Sequence, residues 1–531
     1  PYSTLASHVI GFVGTDNYGL EGIEAMYDEE LQGENGRIVR LKNAAGTDIL
    51  LTDFEDYYDA ENGDNLNLTI DVTIQNIVEK NLEQAINDYD IQNGAACIAM
   101  DPDTGEVLAM ASYGNYDLND YLTVSDEVQA ELDGIEDEEE RSEAESEALL
   151  KQWRNKALSD TYEPGSVFKT ITLAAALEEG VISLDDTFYC SGKIDVVGRE
   201  PVNCWKHSGH GTQTLEEAVK NSCNCAFVTI GQKLGAEAFW EYLDAFGFFD
   251  ETGIDLAGEA MSQWWPKEVF VDPENQSQAA ATAFGQTFAI TPIQMATGMC
   301  AACNGGYLMQ PYVVSSVTDA KGNVVEVHEP TTVRQVVSEE TSDLVKQILE
   351  FAVADGADSN AYVPGYRIAG KTGTAEKVSE NLTSDEKNYI VSFCGFAPAN
   401  DPQIVVLLLL DSPSSSTGIY ISGGSMAAPP VARIISETLD YMGYVPEYKE
   451  EEEDTVDTLM PDLNGWNRAN AIGALEYQGL DYEFRGGGGT VVAQYPAAYS
   501  TIATGSKVIL YTDSAPEEET VIVPDLSGMT Y

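Results

Sequence analysis

The chain has 531 residues with a hydrophobic share of 43%, too long for one core and sufficient for about two to four. Against 27 Lys and Arg stand 89 Asp and Glu, a formal charge of −62. This excludes nucleic acid as a partner and a polybasic patch as a membrane anchor, because both depend on clustered cations.

Residues 1–60 read as a small N-terminal unit, with a strand predicted over Gly36–Leu41. Apolar residues at Ile74, Ile77, Val78, Leu82, Ala85 and Ile86 recur at helical spacing and predict a helix over Asp71–Asn87. Two strands follow, Ala95–Met100 and Glu106–Ala111, joined by Asp101-Pro102-Asp103-Thr104-Gly105, whose turn chemistry suits a hairpin. Between Asp126 and Glu147 lie twelve acidic residues and a single arginine, Arg141. Such a run is a solvated helix or a disordered insertion, with a regulatory or cation-binding role as the lesser reading.

Pro164-Gly165 breaks the chain ahead of Val167–Leu177, a run without Gly or Pro that predicts a helix beginning near Ser166 and stopping at Gly180. Ser166 and Lys169, three residues apart, share one helical face. The helix N-terminus favours developing negative charge at Ser166, and a lysine of lowered pKa over the same turn could take the serine proton. Taken alone, this spacing also describes a serine cap followed by a surface lysine.

Of the eight cysteines, Cys223 and Cys225 are one residue apart and Cys300 and Cys303 two, but neither pair has a second pair at zinc-site spacing, so no metal ligand set is expected. Cys190 and Cys204 flank a predicted strand pair, Lys193–Val197 with a return through Val202, and are either bridged across it or packed as free thiols. Helices are predicted over Leu215–Asn221 and Ala226–Leu234, with Ser222-Cys223-Asn224 as a polar interruption between them. Thr291-Pro292 suits a helix start ahead of Met295–Cys303.

Lys371-Thr372-Gly373-Thr374 follows Gly370 and precedes a strand-like segment. Tyr389–Phe396 and Gln403–Leu410 predict a second hairpin, and Ala427–Met442 a helix. The longest apolar run, Ile404 to Leu410, is far short of the ~18 residues of a membrane helix. The acidic run Glu447–Asp454 reads as a linker. Beyond it Pro461-Asp462-Leu463-Asn464-Gly465 recurs 63 residues later as Pro524-Asp525-Leu526-Ser527-Gly528. Between the copies lie a predicted helix, Ala469–Gln478, a glycine-rich turn at Gly486–Gly489, and strands near Val491 and Val508–Tyr511.

S-x-x-K, S-x-N and K-T-G in this order resemble the signature of penicillin-binding proteins and serine β-lactamases. Tyr162-Glu163-Pro164-Gly165, Gly209-His210-Gly211, Gly285-Gln286 and Thr291-Pro292 narrow the resemblance to class B penicillin-binding proteins, the monofunctional D,D-transpeptidases of cell-wall synthesis, over residues 65–440. The tail resembles PASTA modules. The resemblance implies an α+β chain with the β-lactamase-like transpeptidase fold, an antiparallel sheet flanked by helices. Residues 1–60 would be the end of the pedestal, or dimerisation, domain, and 65–442 the transpeptidase domain with its acidic insertion at 126–147. Residues 443–457 would be a linker, 458–513 a small α/β PASTA module, and 520–531 the start of a second.

The implied catalytic residues are Ser166 as nucleophile, Lys169 as its base, Ser222 as proton relay, Asn224 as an orienting amide and Lys371 as a cation that favours neutral Lys169. Thr372, Gly373 and Thr374 would hold the substrate carboxylate, with backbone N–H groups of Ser166 and Thr374 as an oxyanion hole. The implied ligands are stem peptides ending in D-Ala-D-Ala and the β-lactams that mimic them, with no cofactor and no metal. Implied partners are a membrane glycosyltransferase and divisome proteins, at the outer face of the membrane. Because the chain starts at Pro1, not methionine, a membrane anchor is expected upstream of it, and the PASTA repeat is expected to continue past Tyr531. The tail tilts the resemblance toward division or spore-cortex synthesis.

Three other readings stay open: a D,D-carboxypeptidase, a β-lactamase with Glu259 as the deacylating acid, and a non-catalytic wall sensor. A Ser-His-Asp triad through His207 or His210 lacks the G-x-S-x-G elbow that would support it.

Overall fold

The computed structural model describes residues 3–40, 55–355, 359–377, 387–447, 458–478, 480–498, 501–502 and 507–513. The chain divides into two compact units, Pro1–Val445 and Pro446–Tyr531. In the first, five antiparallel strands form the central sheet: β1 Ile91–Met100, β2 Val107–Ser112, β3 Ala369–Glu376, β4 Tyr389–Ala397 and β5 Ile404–Pro413. Their spatial order is β3-β4-β5-β1-β2, so β3 lies at an edge.

Period-two alternation divides the sheet's side chains between two cores. Ala96, Ile98 and Met100 of β1 join Val405, Leu407 and Leu409 of β5 on one face. Ala95, Cys97 and Ala99 join Val406, Leu408 and Leu410 on the other. The second face is covered by helix α1, Val72–Tyr89, and by the helix Ala428–Met442. Asp71 caps α1 by accepting from the N–H groups of Thr73 and Ile74, and Ile74, Val78, Leu82 and Ala85 line its buried stripe. The first face carries helix α2, Lys169–Glu178, helix α3, Asn224–Leu234, and helix α4, Pro292–Cys303. Every residue of α4 is buried, and Thr291 and Gln294 close its start with a reciprocal capping box.

The acidic insertion is helical: Asp126–Asp133 and Glu138–Trp153 are mostly exposed helices started by Ser125 and Asp137 caps. The carboxylates Glu138, Glu139 and Glu140 sit in the first turn, where the helix dipole favours them. In the N-terminal unit Arg37–Arg40 pairs with Glu55–Tyr58. Among the described residues no helix is long and apolar enough to cross a membrane.

His8 is buried, its Nε2 2.9 Å from the Gln152 carbonyl and its ring edge-on to Tyr116. Burial pushes its pKa from 6.5 down to about 4, with Lys156 lowering it further and Gln152 opposing. The folded form therefore binds the proton less readily than the unfolded one. The stability His8 contributes is whole above pH 6.5 and is lost as the pH falls toward 4. The expected loss is about 3 kcal/mol. Urea unfolding of wild type and His8→Gln between pH 7 and pH 4 checks this: the difference between them should change by that amount, and parallel curves would refute it.

In the second unit the helix Arg468–Tyr477 accompanies a three-stranded sheet. Asp481–Arg485 runs parallel to Lys507–Tyr511, and Ala493–Tyr495 pairs antiparallel with it. Met460, Leu463, Ala471, Leu475, Val491, Val508 and Leu510 form its core. Most of the acidic linker and the whole of the second repeat lie outside the described residues.

Candidate active site

Ser166 lies in a 3-10 turn, Gly165–Phe168, and α2 begins only at Lys169. The helix thus starts one turn later than the residue pattern predicts, because Gly165 adopts φ +55° and tightens the chain after Pro164. From Pro164 to Thr170 every residue is buried except Ser166, which is half-buried. The turn is braced from behind by backbone. Gly165 N–H donates to the Gly285 carbonyl at 2.9 Å, and Tyr162 and Ile290 exchange bonds of 2.9 and 3.1 Å. Phe168 packs on Phe248 and Phe288, and Phe288 stacks on Trp264 at 4.2 Å.

Lys169 is fully buried. Its Nζ donates to the Ser222 carbonyl at 2.8 Å, to Ser222 Oγ at 3.0 Å and to Asn224 Oδ1 at 2.8 Å, and it stands 5.3 Å above the Phe227 ring. The S-x-N segment reaches it because the helix Leu215–Lys220 ends in a tight turn. Ser222 N–H bonds Val219 O, Cys223 N–H bonds Ala218 O, and Ser222 takes φ +46°. A left-handed serine is uncommon, and here it aims carbonyl and hydroxyl at the same lysine nitrogen. Asn224 opens α3 and its amide donates to the Asn203 carbonyl at 3.3 Å. Nothing in the residue pattern pointed to Asn203.

Lys371, Thr372, Gly373 and Thr374 lie inside β3, not ahead of a strand. Gly373 is a packing requirement. A side chain on Gly373 would come within 2.4 Å of Ser392 Oγ and 2.9 Å of the Pro164 carbonyl. One on Gly165 would touch the Thr374 carbonyl at 3.4 Å. That is ordinary contact, so the close approach of β3 to the serine turn depends on Gly373, while Gly165 is required by its φ of +55°. Lys371 is fully buried with Nζ 3.3 Å from Thr372 Oγ1, whereas Thr374 is exposed and its Oγ1 accepts from Gly423 N–H at 3.1 Å. The three motifs, far apart in the chain, thus surround one edge of the sheet.

Glu259 has both carboxylate oxygens engaged by Thr252, at 2.9 Å from its N–H and 2.9 Å from its hydroxyl. Burial raises its pKa, and its observed partners make it a loop brace. His210 faces Cys204, with Nδ1 3.6 Å from Sγ. Cys190 and Cys204 are unbridged, as are the other six cysteines, all buried. The expectation of no metal ligand set rests on linear spacing alone. Cys190, Cys204, His210 and Cys223 come from four different segments and place their ligand atoms within 4.8 Å of one another.

A family model described as "Penicillin binding protein transpeptidase domain" matches residues 95–437, and one described as "PASTA domain" matches 458–514. Stage V sporulation protein D of Bacillus subtilis is 39% identical over 526 residues, covering 98% of this chain and 76% of that protein. Crystal structures of penicillin-binding protein 3 from Mycobacterium tuberculosis are similar at a TM-score of 0.68 and 28% identity. The complex with aztreonam covers 85% of this chain and 91% of that one, and the complex with ampicillin 84% and 90%.

Proposed function

The chain belongs to the penicillin-binding transpeptidase family and carries a PASTA domain, and from that premise we propose that it cross-links peptidoglycan through an acyl-enzyme on Ser166. The wall synthesis it serves is that of division or sporulation. The observation that carries the catalytic reading is the buried Lys169 amine, its Nζ within 2.8–3.0 Å of three oxygens of the S-x-N segment and one turn from a half-exposed serine.

In the proposed first step, Ser166 Oγ attacks the penultimate D-alanine carbonyl. The new Oγ–C bond forms, the C–N bond to the terminal D-alanine breaks, and the hydroxyl proton passes to Lys169 and through Ser222 to the leaving nitrogen. Asn224 orients Lys169 and a substrate amide. Thr372, Thr374 and the Lys371 cation take the terminal carboxylate, while the edge position of β3 leaves room for the peptide to lie along it as an added strand. Backbone N–H groups of Ser166 and Thr374 would stabilise the oxyanion. An amine of a second stem then displaces Ser166 and closes the cross-link. β-Lactams present the same acyl group without a departing fragment and would trap the serine. The enzyme would work at the outer membrane face beside a glycosyltransferase and divisome proteins.

A fluorescent penicillin followed for hours tests this. Stoichiometric label that persists in wild type and is absent in Ser166→Ala is the expected result. Rapid loss of label would make the chain a β-lactamase, and no label in wild type would leave a non-catalytic wall-binding role.

A further inference from the structure

Four sulfurs and an imidazole converge beside the S-x-N loop: Cys225 lies within hydrogen-bond reach of Cys190, Cys204 and Cys223, and the other four groups place their ligand atoms within 4.8 Å of one another. Cys190 ends the strand Thr187–Cys190, whose partner Gly211–Thr214 sets Gly211 opposite it and so brings His210 alongside. Cys204 follows the ribbon Lys193–Ile194 and Val202–Asn203, and its N–H is tied to the Gly192 carbonyl at 2.8 Å. Cys223 caps α3 from within S-x-N. The three cysteines are buried and His210 is half-buried.

Two of the six ligand–ligand edges have the spacing of a tetrahedral thiolate site, and the others lie within 4.8 Å. With Zn–S of about 2.3 Å and Zn–N of about 2.0 Å, a tetrahedron has S···S edges of about 3.8 Å and S···N edges of about 3.5 Å. Cys204 Sγ lies 4.0 Å from Cys223 Sγ and 3.6 Å from His210 Nδ1. The surroundings favour sulfur as an acceptor. Gly192 N–H points at Cys190 Sγ at 3.4 Å, backbone N–H groups of Lys206 and Asn224 reach Cys204, and that of Ala226 reaches Cys223. Backbone donors of this kind orient and stabilise metal-bound thiolates. The other ring nitrogen, His210 Nε2, is buried without a hydrogen-bond partner.

We propose that Cys190, Cys204, His210 and Cys223 form a binding site for one thiophilic divalent cation, zinc in particular. Binding forms three metal–sulfur bonds and one metal–nitrogen bond, releases the ion's waters and sends three thiol protons to solvent, with no change of oxidation state. A soft, thiolate-rich tetrahedral set selects zinc over magnesium or calcium. Because Cys223 stands between Ser222 and Asn224, the ion would pin the turn in which both accept from Lys169, a consequence that rests on the function proposed above.

The test uses the whole chain, purified under reductant, stripped with chelator and titrated with Co(II). The expected result is thiolate-to-cobalt charge transfer with intense tetrahedral d–d bands, saturating at one equivalent and bleached by Zn(II). Cys190→Ser and His210→Ala should each weaken binding at least ~10-fold. Ser166→Ala should bind as wild type does, so a failed penicillin assay and a failed metal site are told apart. His210→Ala, at the one half-buried ligand, guards against a cysteine variant that does not fold, and circular dichroism of each variant verifies the fold. Absence of the bands, bands that survive both substitutions unchanged, or a Cys204–Cys223 disulfide that forms in the presence of saturating Zn(II) would each overturn the proposal.

Discussion

Lys169→Met is expected to slow β-lactam acylation of Ser166 by roughly 10²- to 10⁴-fold, the range of a lost general base. It should also destabilise the chain. The substitution strands the Ser222 carbonyl, Ser222 Oγ and Asn224 Oδ1, all of which lie against the buried Nζ, and a buried acceptor without its donor costs about 1–3 kcal/mol. Stability and chemistry would then fall together, and methionine alone cannot separate them. Lys169→Arg does: a guanidinium offers donors to the same acceptors but stays protonated at every working pH and cannot take up the serine proton. The two variants should therefore differ in melting temperature, with Arg nearer wild type, and agree in a collapsed acylation rate constant. Acylation by the Arg variant within about tenfold of wild type, where the chemistry requires at least 10², would reduce Lys169 to a packing role and move the base elsewhere.

What the residues disclosed and what they hid follows from the range of the interactions. The helices around the site were legible because capping and apolar spacing are local: Thr291-Pro292 starts α4, and the interruption between Leu215–Lys220 and α3 is the S-x-N turn itself. The hairpin β4–β5 was legible for the same reason, its turn residues lying between two apolar runs. The strand identity of K-T-G was not. Gly370 and Gly373 disfavour a strand by propensity, and only the approach of Cys394 and Phe393 to the first, and of Ser392 and Pro164 to the second, makes glycine necessary there. Asn203 and the position of His210 were hidden because each depends on strand pairs, Val202–Asn203 with Lys193–Ile194 and Thr187–Cys190 with Gly211–Thr214, whose members are short and polar. The four-ligand cluster assembles from those same pairs, so no contiguous spacing could announce it.

Gly285→Ala should disable the site without touching S-x-x-K, S-x-N or K-T-G. Gly285 sits at φ +85°, and a methyl group there would fall 1.8 Å from the Gly165 carbonyl oxygen and 2.5 Å from its carbon. Both obstacles are backbone, so no rotamer change relieves them. Two glycine backbones touch at this point, joined by the Gly165 N–H bond to the Gly285 carbonyl at 2.9 Å, and the residue after Gly165 is Ser166, the proposed nucleophile. Relief must come from displacement of the serine turn or of the 283–290 loop, and a shift of about 1 Å at a reacting atom costs on the order of 10²-fold in rate. Overpacking adds about 1–3 kcal/mol of instability, and the left-handed backbone of a non-glycine residue about 1 kcal/mol more. Gly443→Ala separates the two contributions. Gly443 ends the helix Ala428–Met442 at φ +82° with open space around its α-carbon, so it should show only the backbone cost and acylate normally. Melting temperature and the penicillin acylation rate constant of both variants supply the check. If Gly285→Ala acylates within about threefold of Gly443→Ala, against the 10² expected of a displaced nucleophile, the loop does not position Ser166.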